Sequence, residues 1–376
     1  MPAYFDANAT TPVDPRVAEI VHHYMTAEFG NAGSRTHAFG SAAAKAVERA
    51  REQVAAVVGL TRGRVVFTSG ATESNNLAIL GLEPMGLRTG RKHVVTTAIE
   101  HKAVAEPIQR LVDRGFSVDV VKPDQYGVVS ASDVLDRVRD DTLLVSVMHV
   151  NNETGMVQPI RQIADGLSTR DTLFHVDAAQ GFGKDLEALR NPNIDFISVS
   201  SHKIYGPKGC GALILNEKNQ KKKTLTPLMV GGGQEVGLRP GTLPVLLIAG
   251  LGLAAELSLK ENAIRAEKNR EHLTQISRAA IDSGATINGD LQHSIGNVIN
   301  ISFEGVDSES AILLLQNEVA ISNGAACSSA SYSYSHVLEA MGLSRSRIES
   351  ALRISWYHDS EVLDWAVVFG VMSSLV

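Results

Sequence analysis

From about residue 60 to 216, short apolar runs alternate with amphipathic stretches, the pattern of an α/β protein. The runs at 64–68, 93–97, 117–121, 143–149, 173–176 and 196–199 are rich in β-branched and aromatic residues and predict strands. Helices are predicted between them at 72–80, 102–114, 130–139 and 160–167, with Gly115 ending the second. That order predicts a largely parallel sheet covered on both faces, whose ligands gather beyond the carboxyl ends of the strands. The composition changes near Gly231-Gly232-Gly233, and Pro244 opens a long helical stretch to about residue 281. After Gly284 come strand-like runs at 298–303 and 351–356 and helices at 309–318, 335–341 and from about 361, an order that fits a small α+β domain.

The length supports two domains. A chain of 376 residues exceeds the size at which one core stops growing, roughly 250–300 residues. A large domain is expected at 14–255, and a small one at 1–13 together with 256–376. The formal charge of -6 argues against a binder of nucleic-acid backbones, so no direct nucleic-acid partner is expected. Two cysteines, Cys210 and Cys327, make neither a disulfide framework nor a four-cysteine metal site. The start Met1-Pro2-Ala3-Tyr4-Phe5-Asp6 has no export-signal character and no run reaches membrane-spanning length, so a soluble, cytoplasmic protein is expected. The basic cluster Lys221-Lys222-Lys223 reads as a solvated loop.

Three segments carry candidate chemistry. Ser200-Ser201-His202-Lys203-Ile204-Tyr205-Gly206-Pro207 follows an apolar strand and puts a lysine at its end. Lysine serves covalent catalysis by forming Schiff bases with carbonyls, including the aldehyde of pyridoxal phosphate. Ser69-Gly70-Ala71-Thr72-Glu73-Ser74-Asn75-Asn76 is a turn and helix start, whose backbone N–H groups near Ala71 and Thr72 suit a phosphate; an ordinary hydroxyl cap also fits it. Phe174-His175-Val176-Asp177 ends in an acid suited to keeping a pyridine nitrogen protonated, although a surface aspartate at a strand end is common. Together the three are far more specific than any one of them. The two thiols separate by context: Cys210 precedes the apolar run 212–215 and reads as packing. Cys327 sits in Gly324-Ala325-Ala326-Cys327-Ser328-Ser329, small and polar surroundings that predict a mobile, exposed loop and a reachable thiol.

With these residues in view, the chain resembles the cysteine desulfurase family, pyridoxal-phosphate enzymes of fold type I, related to class V aminotransferases. The resemblance runs nearly end to end, through Asp6-Ala7-Asn8-Ala9-Thr10-Thr11-Pro12, the 69–76 turn, Glu100-His101, Asn151-Asn152-Glu153-Thr154-Gly155, 177–180, the 200–209 lysine loop, 231–242 and the cysteine loop at 324–330. It implies a large, mostly parallel, seven-stranded sheet domain, a smaller α+β domain and a homodimer. It also implies that Lys203 holds the cofactor covalently, that Asp177 pairs with the ring nitrogen, and that Gln180 lies on the ring hydroxyl side. Ala71, Thr72, Ser200 and His202 are then the phosphate site, His101 stacks on the ring and handles protons, and Asn152 lies beside cofactor and substrate. Arg353 is the implied grip on the substrate carboxylate, and Thr242 reaches the phosphate of the neighbouring subunit.

The implied reaction removes sulfur from L-cysteine, giving L-alanine and a persulfide on Cys327. The cysteine-serine-serine form, with a long following loop, resembles the family's first group, in which that loop is expected to swing. The sulfur then passes to an acceptor protein for iron–sulfur cluster assembly, tRNA thiolation or DNA sulfur modification. Two positions depart from the family pattern: Val236 replaces an arginine, and Trp356-Tyr357-His358 follows Ile354-Ser355. A selenocysteine lyase or other C–S lyase on the same scaffold, and a cofactor-free interaction scaffold, are the alternatives at this level.

Overall fold

The computed structural model describes residues 1–60, 63–216, 225–323 and 334–374. The Lys221-Lys222-Lys223 cluster and Cys327 with its loop lie outside the described residues. A short strand, β1 (Ala3–Tyr4), precedes the main sheet. That sheet contains β2 (Gly63–Thr68), β3 (His93–Thr97), β4 (Ser117–Val121), β5 (Thr142–Met148), β6 (Leu173–Asp177), β7 (Phe196–Ser200) and β8 (Gly211–Asn216). Their spatial order is β2-β8-β7-β6-β5-β3-β4, and all pairings are parallel except those of β8 with β2 and β7.

Burial on both faces explains why these strands read as nearly continuous apolar runs. In β2 the alternation sends Val66 to one face, against Leu77, Ile79, Val104 and Leu111 of the helices Ala71–Leu80 and Lys102–Val112. Val65 and Phe67 face the other side, with Val54 of the helix Ala38–Val57 and Ile248 and Leu251 of the helix Val245–Lys260. Buried residues surround that last helix, as expected of a helix at the centre of a core. The helices Pro15–Thr26 and Ala38–Val57 precede the stretch where strand and helix patterns alternate.

The helical stretch predicted from Pro244 to about residue 281 is two helices, Val245–Lys260 and Asn262–Asp282, broken at Glu261. Long-range partners fix the break. The Glu261 carboxylate accepts from Arg16, and the Asn262 amide donates to the carbonyls of Gly183 and Lys184 at 3.1 and 3.0 Å.

A second, antiparallel sheet begins with β9 (Thr286–Ile287) and β10 (Val298–Ser302). β11 (Val319–Ala320) pairs in parallel with β1, while β12 (Ala351–Ser355) pairs with β10. A separate apolar cluster lies here, with Phe5, Ile276, Ile301, Leu315, Ile354, Trp356 and Phe369. Trp356, one of the departing residues, is buried in it and its indole N–H donates to the Asn269 carbonyl at 3.0 Å. Among the described residues no helix is long and apolar enough to cross a membrane.

Candidate active site

A cavity of about 590 Å³ opens where the carboxyl ends of the main sheet meet the amino-terminal segment and β12. Its volume suits a small-molecule ligand. The wall includes Ala71, Thr72, His101, Asn152, Asp177, Gln180, Ser200, His202, Lys203 and Arg353, which the sequence places far apart. Thr242 is not part of the cavity wall and is exposed on the Gly-rich segment.

Gly70 caps the helix Ala71–Leu80 with no side-chain hydrogen bond, so the hydroxyl-cap alternative does not hold there. The first-turn N–H groups are left for a ligand at the positive end of the helix dipole. Gly211 of β8 makes room for this turn. A Cβ on it would lie 2.5 Å from Gly70 Cα and 2.4 Å from the Val199 carbonyl oxygen.

Asp177 ends β6 and is only 5% exposed. One carboxylate oxygen accepts from the Asn75 amide at 2.7 Å, the other from the Ala179 N–H at 2.9 Å. Two donors hold the anion in place without cancelling its charge. His101 caps the helix Lys102–Val112, and its Nδ1 accepts from the Ala103 N–H at 3.0 Å. Burial, reinforced by Lys203 and opposed by Asp177, pushes its pKa below that of an ordinary histidine. The ring is thus neutral near pH 7, with its proton on Nε2. His202 approaches Thr10 Oγ1 at 3.2 Å, and burial followed by the charge of Lys203 takes it down to about 4.

Lys203 lies in the turn Ser201–Lys203 directly after β7. Its ammonium donates to the carbonyls of Asn8 and, at 2.9 Å, Ala9. Gln180 donates to the same Asn8 carbonyl at 3.0 Å. Arg353, on β12 with a side chain 4% exposed, pairs with Asp6 at 2.8 Å and donates to the Asn152 carbonyl at 3.3 Å. Its Nε is buried with no hydrogen-bond partner among the described residues. Ser322, which precedes the undescribed segment carrying Cys327, also lines the cavity.

This donor set fits pyridoxal phosphate: uncapped helix N–H groups for the phosphate, a held carboxylate for the ring nitrogen and a lysine for the aldehyde. Three cavity-side residues were not singled out by motif reading: Asp6, Asn8 and Asn75. All three stand inside quoted motifs, but the folded chain alone gives them their partners: Asp6 with Arg353, Asn8 with Lys203 and Gln180, and Asn75 with Asp177. Cys210 is 1% exposed, and burial pushes its thiol up to about 12, consistent with packing. Val236 is 64% exposed and has φ 54°, a left-handed conformation that β-branched residues rarely take. Of the other departing residues, His358 meets the Tyr205 ring edge-on at 4.9 Å, so they join β12 to the loop that follows Lys203.

Residues 3–364 match the sequence profile of the class V aminotransferases. The chain belongs to that family. Its members depend on pyridoxal phosphate, and the mostly parallel central sheet is the α/β architecture of their fold type I. The chain is 44% identical over 379 aligned positions to a cysteine desulfurase IscS of Anaeromyxobacter sp. (strain K), covering 98% of this chain and 92% of that one. The structure of DndA from Streptomyces lividans is 49% identical, with a TM-score of 0.82 over 93% of this chain and 98% of its own. A structure described as SspA in complex with cysteine is 36% identical, with a TM-score of 0.82 over 96% of this chain and all of its own.

Proposed function

We propose that this protein is a pyridoxal-phosphate-dependent cysteine desulfurase that acts on L-cysteine. The observation that carries the reading is the convergence of Lys203, Asp177, His101, Arg353 and the uncapped helix start on one cavity. Lys203 would hold the cofactor, Asp177 its ring nitrogen, Gln180 its ring hydroxyl side, and Ala71, Thr72, Ser200 and His202 its phosphate. When bound, the group supplies an electron sink for the carbon that loses sulfur. Arg353 binds the substrate carboxylate, and Asn152 orients the substrate. Lys203, displaced by the substrate amine, moves the α-proton. His101 adjusts the protonation of the substrate thiol, which stays protonated while it is attacked.

Cys327, as thiolate, attacks the substrate sulfur. An S–S bond forms and the C–S bond breaks, its electron pair leaving with the carbon fragment. That fragment is protonated and departs as L-alanine, so one sulfur atom is transferred and Cys327 carries a persulfide. The sulfur then passes to an acceptor protein, in iron–sulfur assembly, tRNA thiolation or DNA sulfur modification. We assign the catalysis to a cytoplasmic homodimer in which Thr242 completes the neighbour's phosphate site. We place the large domain at 14–255 and the small one at 1–13 with 256–376; the separate apolar cluster around Phe5, Ile301 and Trp356 supports that division.

Cys327→Ser should keep the visible absorbance of the lysine-bound cofactor and lose alanine release. Lys203→Ala should lose that absorbance. Full alanine release by Cys327→Ser would overturn the assignment.

A further inference from the structure

Beyond β6, the turns after Asp177 place Gln180 and Lys184 four residues apart. The N–H groups of Gly181 and Phe182 donate to the Ala178 carbonyl at 3.1 and 2.8 Å, and that of Lys184 to the Gly181 carbonyl at 3.0 Å. Asn262, at the start of a helix from the other end of the chain, donates to the carbonyls of Gly183 and Lys184 and fixes the backbone there. The Lys184 ammonium donates to Gln180 Oε1 at 3.3 Å. The same Gln180 side chain donates through Nε2 to the Asn8 carbonyl, which also accepts from Lys203. Two lysines thus meet across one buried amide and one carbonyl. Lys184 has no carboxylate within ion-pairing distance among the described residues.

We propose that Lys184 is a positioning residue for Lys203: through Gln180 and the Asn8 carbonyl it fixes where the Lys203 nitrogen sits, and its positive charge disfavours a proton there. The inference rests on the reading of Lys203 as the cofactor lysine. A neutral amine is what that role demands, both to take up an aldehyde and to accept a proton from carbon. Burial, followed by the charge of Lys203, brings Lys184 itself down to about 7, as expected of two ammonium groups that resist being charged together.

Other charged and titratable groups face the pair from each neighbouring element. Asp177 ends β6, His101 starts the helix Lys102–Val112, and His202 and Lys208 belong to the lysine's own loop. Arg265, from the helix Asn262–Asp282, shares a small cavity with Lys184, and Asp185 is held by His149 at 3.0 Å. On the Lys203 side the carboxylates that oppose the effect are Asp177, already engaged by Asn75 and Ala179, and Asp6, paired with Arg353 on the same cavity wall.

The test is a pH titration of the visible band of the lysine-bound cofactor in the holoenzyme. In Lys184→Met and Lys184→Gln the band's midpoint should rise by about one pH unit, a tenfold gain in proton affinity. Lys184→Gln keeps a polar contact to Gln180, so the same rise in both variants assigns the effect to charge. Lys184→Arg should leave the midpoint at or below the native one, because its guanidinium stays charged through the range in which Lys184 loses its proton. The proposal is overturned by an unmoved midpoint in Lys184→Met and Lys184→Gln, by an arginine variant that moves as far as the methionine one, or by a native band that keeps its proton up to about pH 10. A purified protein with no visible band, or a band that survives Lys203→Ala, would instead remove the site reading beneath it.

Discussion

Glu100 stands next to His101 and shows what burial does to a single carboxyl. It is 2% exposed, and one oxygen accepts from Thr97 Oγ1 at 2.7 Å and from the Met148 N–H at 2.9 Å; the other is buried without a partner. Burial, opposed by these donors and reinforced by the nearby Asp177, pushes it up to about 8. It is therefore protonated at neutral pH, and it fixes the start of the His101 helix without adding charge beside Asp177. The folded protein keeps a proton that the unfolded chain releases at ordinary carboxyl pKa values. Stability from this group is thus present at low pH and lost as pH climbs toward about 8. Glu100→Gln should gain stability relative to the native protein over that interval, by about 1.4 kcal/mol per pH unit. Melting temperatures of both proteins across the interval check this, and a constant difference between them would refute it. At this scale Lys203 and Asp177 were legible because Asp177 ends an apolar strand and Lys203 closes the turn directly after one, each inside a distinctive local motif. Asn75 and Lys184 were not, because their importance comes from partners that only the folded chain supplies.

Among the elements, local periodicity located β3 and β4 to the residue, since both are short, β-branched and bounded by turns. It missed the break at Glu261, where the flanking sequence remains helical and Arg16 and the 183–184 carbonyls, distant in sequence, hold the bend. It also left the run 212–215 unassigned, read only as the apolar context of Cys210, and so missed β8, whose antiparallel pairing brings Gly211 against the turn at Gly70. That contact has a mechanical consequence. An alanine methyl at Gly211 would overlap Gly70 and the Val199 carbonyl, both backbone and so unable to rotate away. Gly211→Ala should destabilise the protein by about 1–3 kcal/mol and push the helix start out of place. Calorimetry should show a lower melting temperature, and the purified variant should carry less cofactor absorbance per chain. Unchanged values of both would mean that the turn is not held by β8.

Across the whole molecule, the Gly-rich segment that carries Thr242 faces outward, yet it is firmly attached to the site. Glu235 accepts from Arg51 and from the Phe67 N–H at 2.7 Å, and Arg239 pairs at 3.0 Å with Glu73 in the first turn of the helix Ala71–Leu80. Leu228, Met229, Val230 and Val236 expose apolar side chains on the same stretch, a composition suited to contact with another protein surface. If that surface is a second copy related by two-fold symmetry, Thr242 of each chain serves the other's cavity. Mixing Lys203→Ala and Thr242→Ala chains then tests the arrangement directly. In a mixed dimer one cavity carries both defects and the other carries neither, so activity returns although each parent is impaired. Random reassortment makes about half of the dimers mixed, each with one intact site, so recovery should approach roughly a quarter of native activity. If Thr242 acted within its own chain, no mixed dimer would contain an intact site. Activity after mixing would then never exceed the average of the two parents.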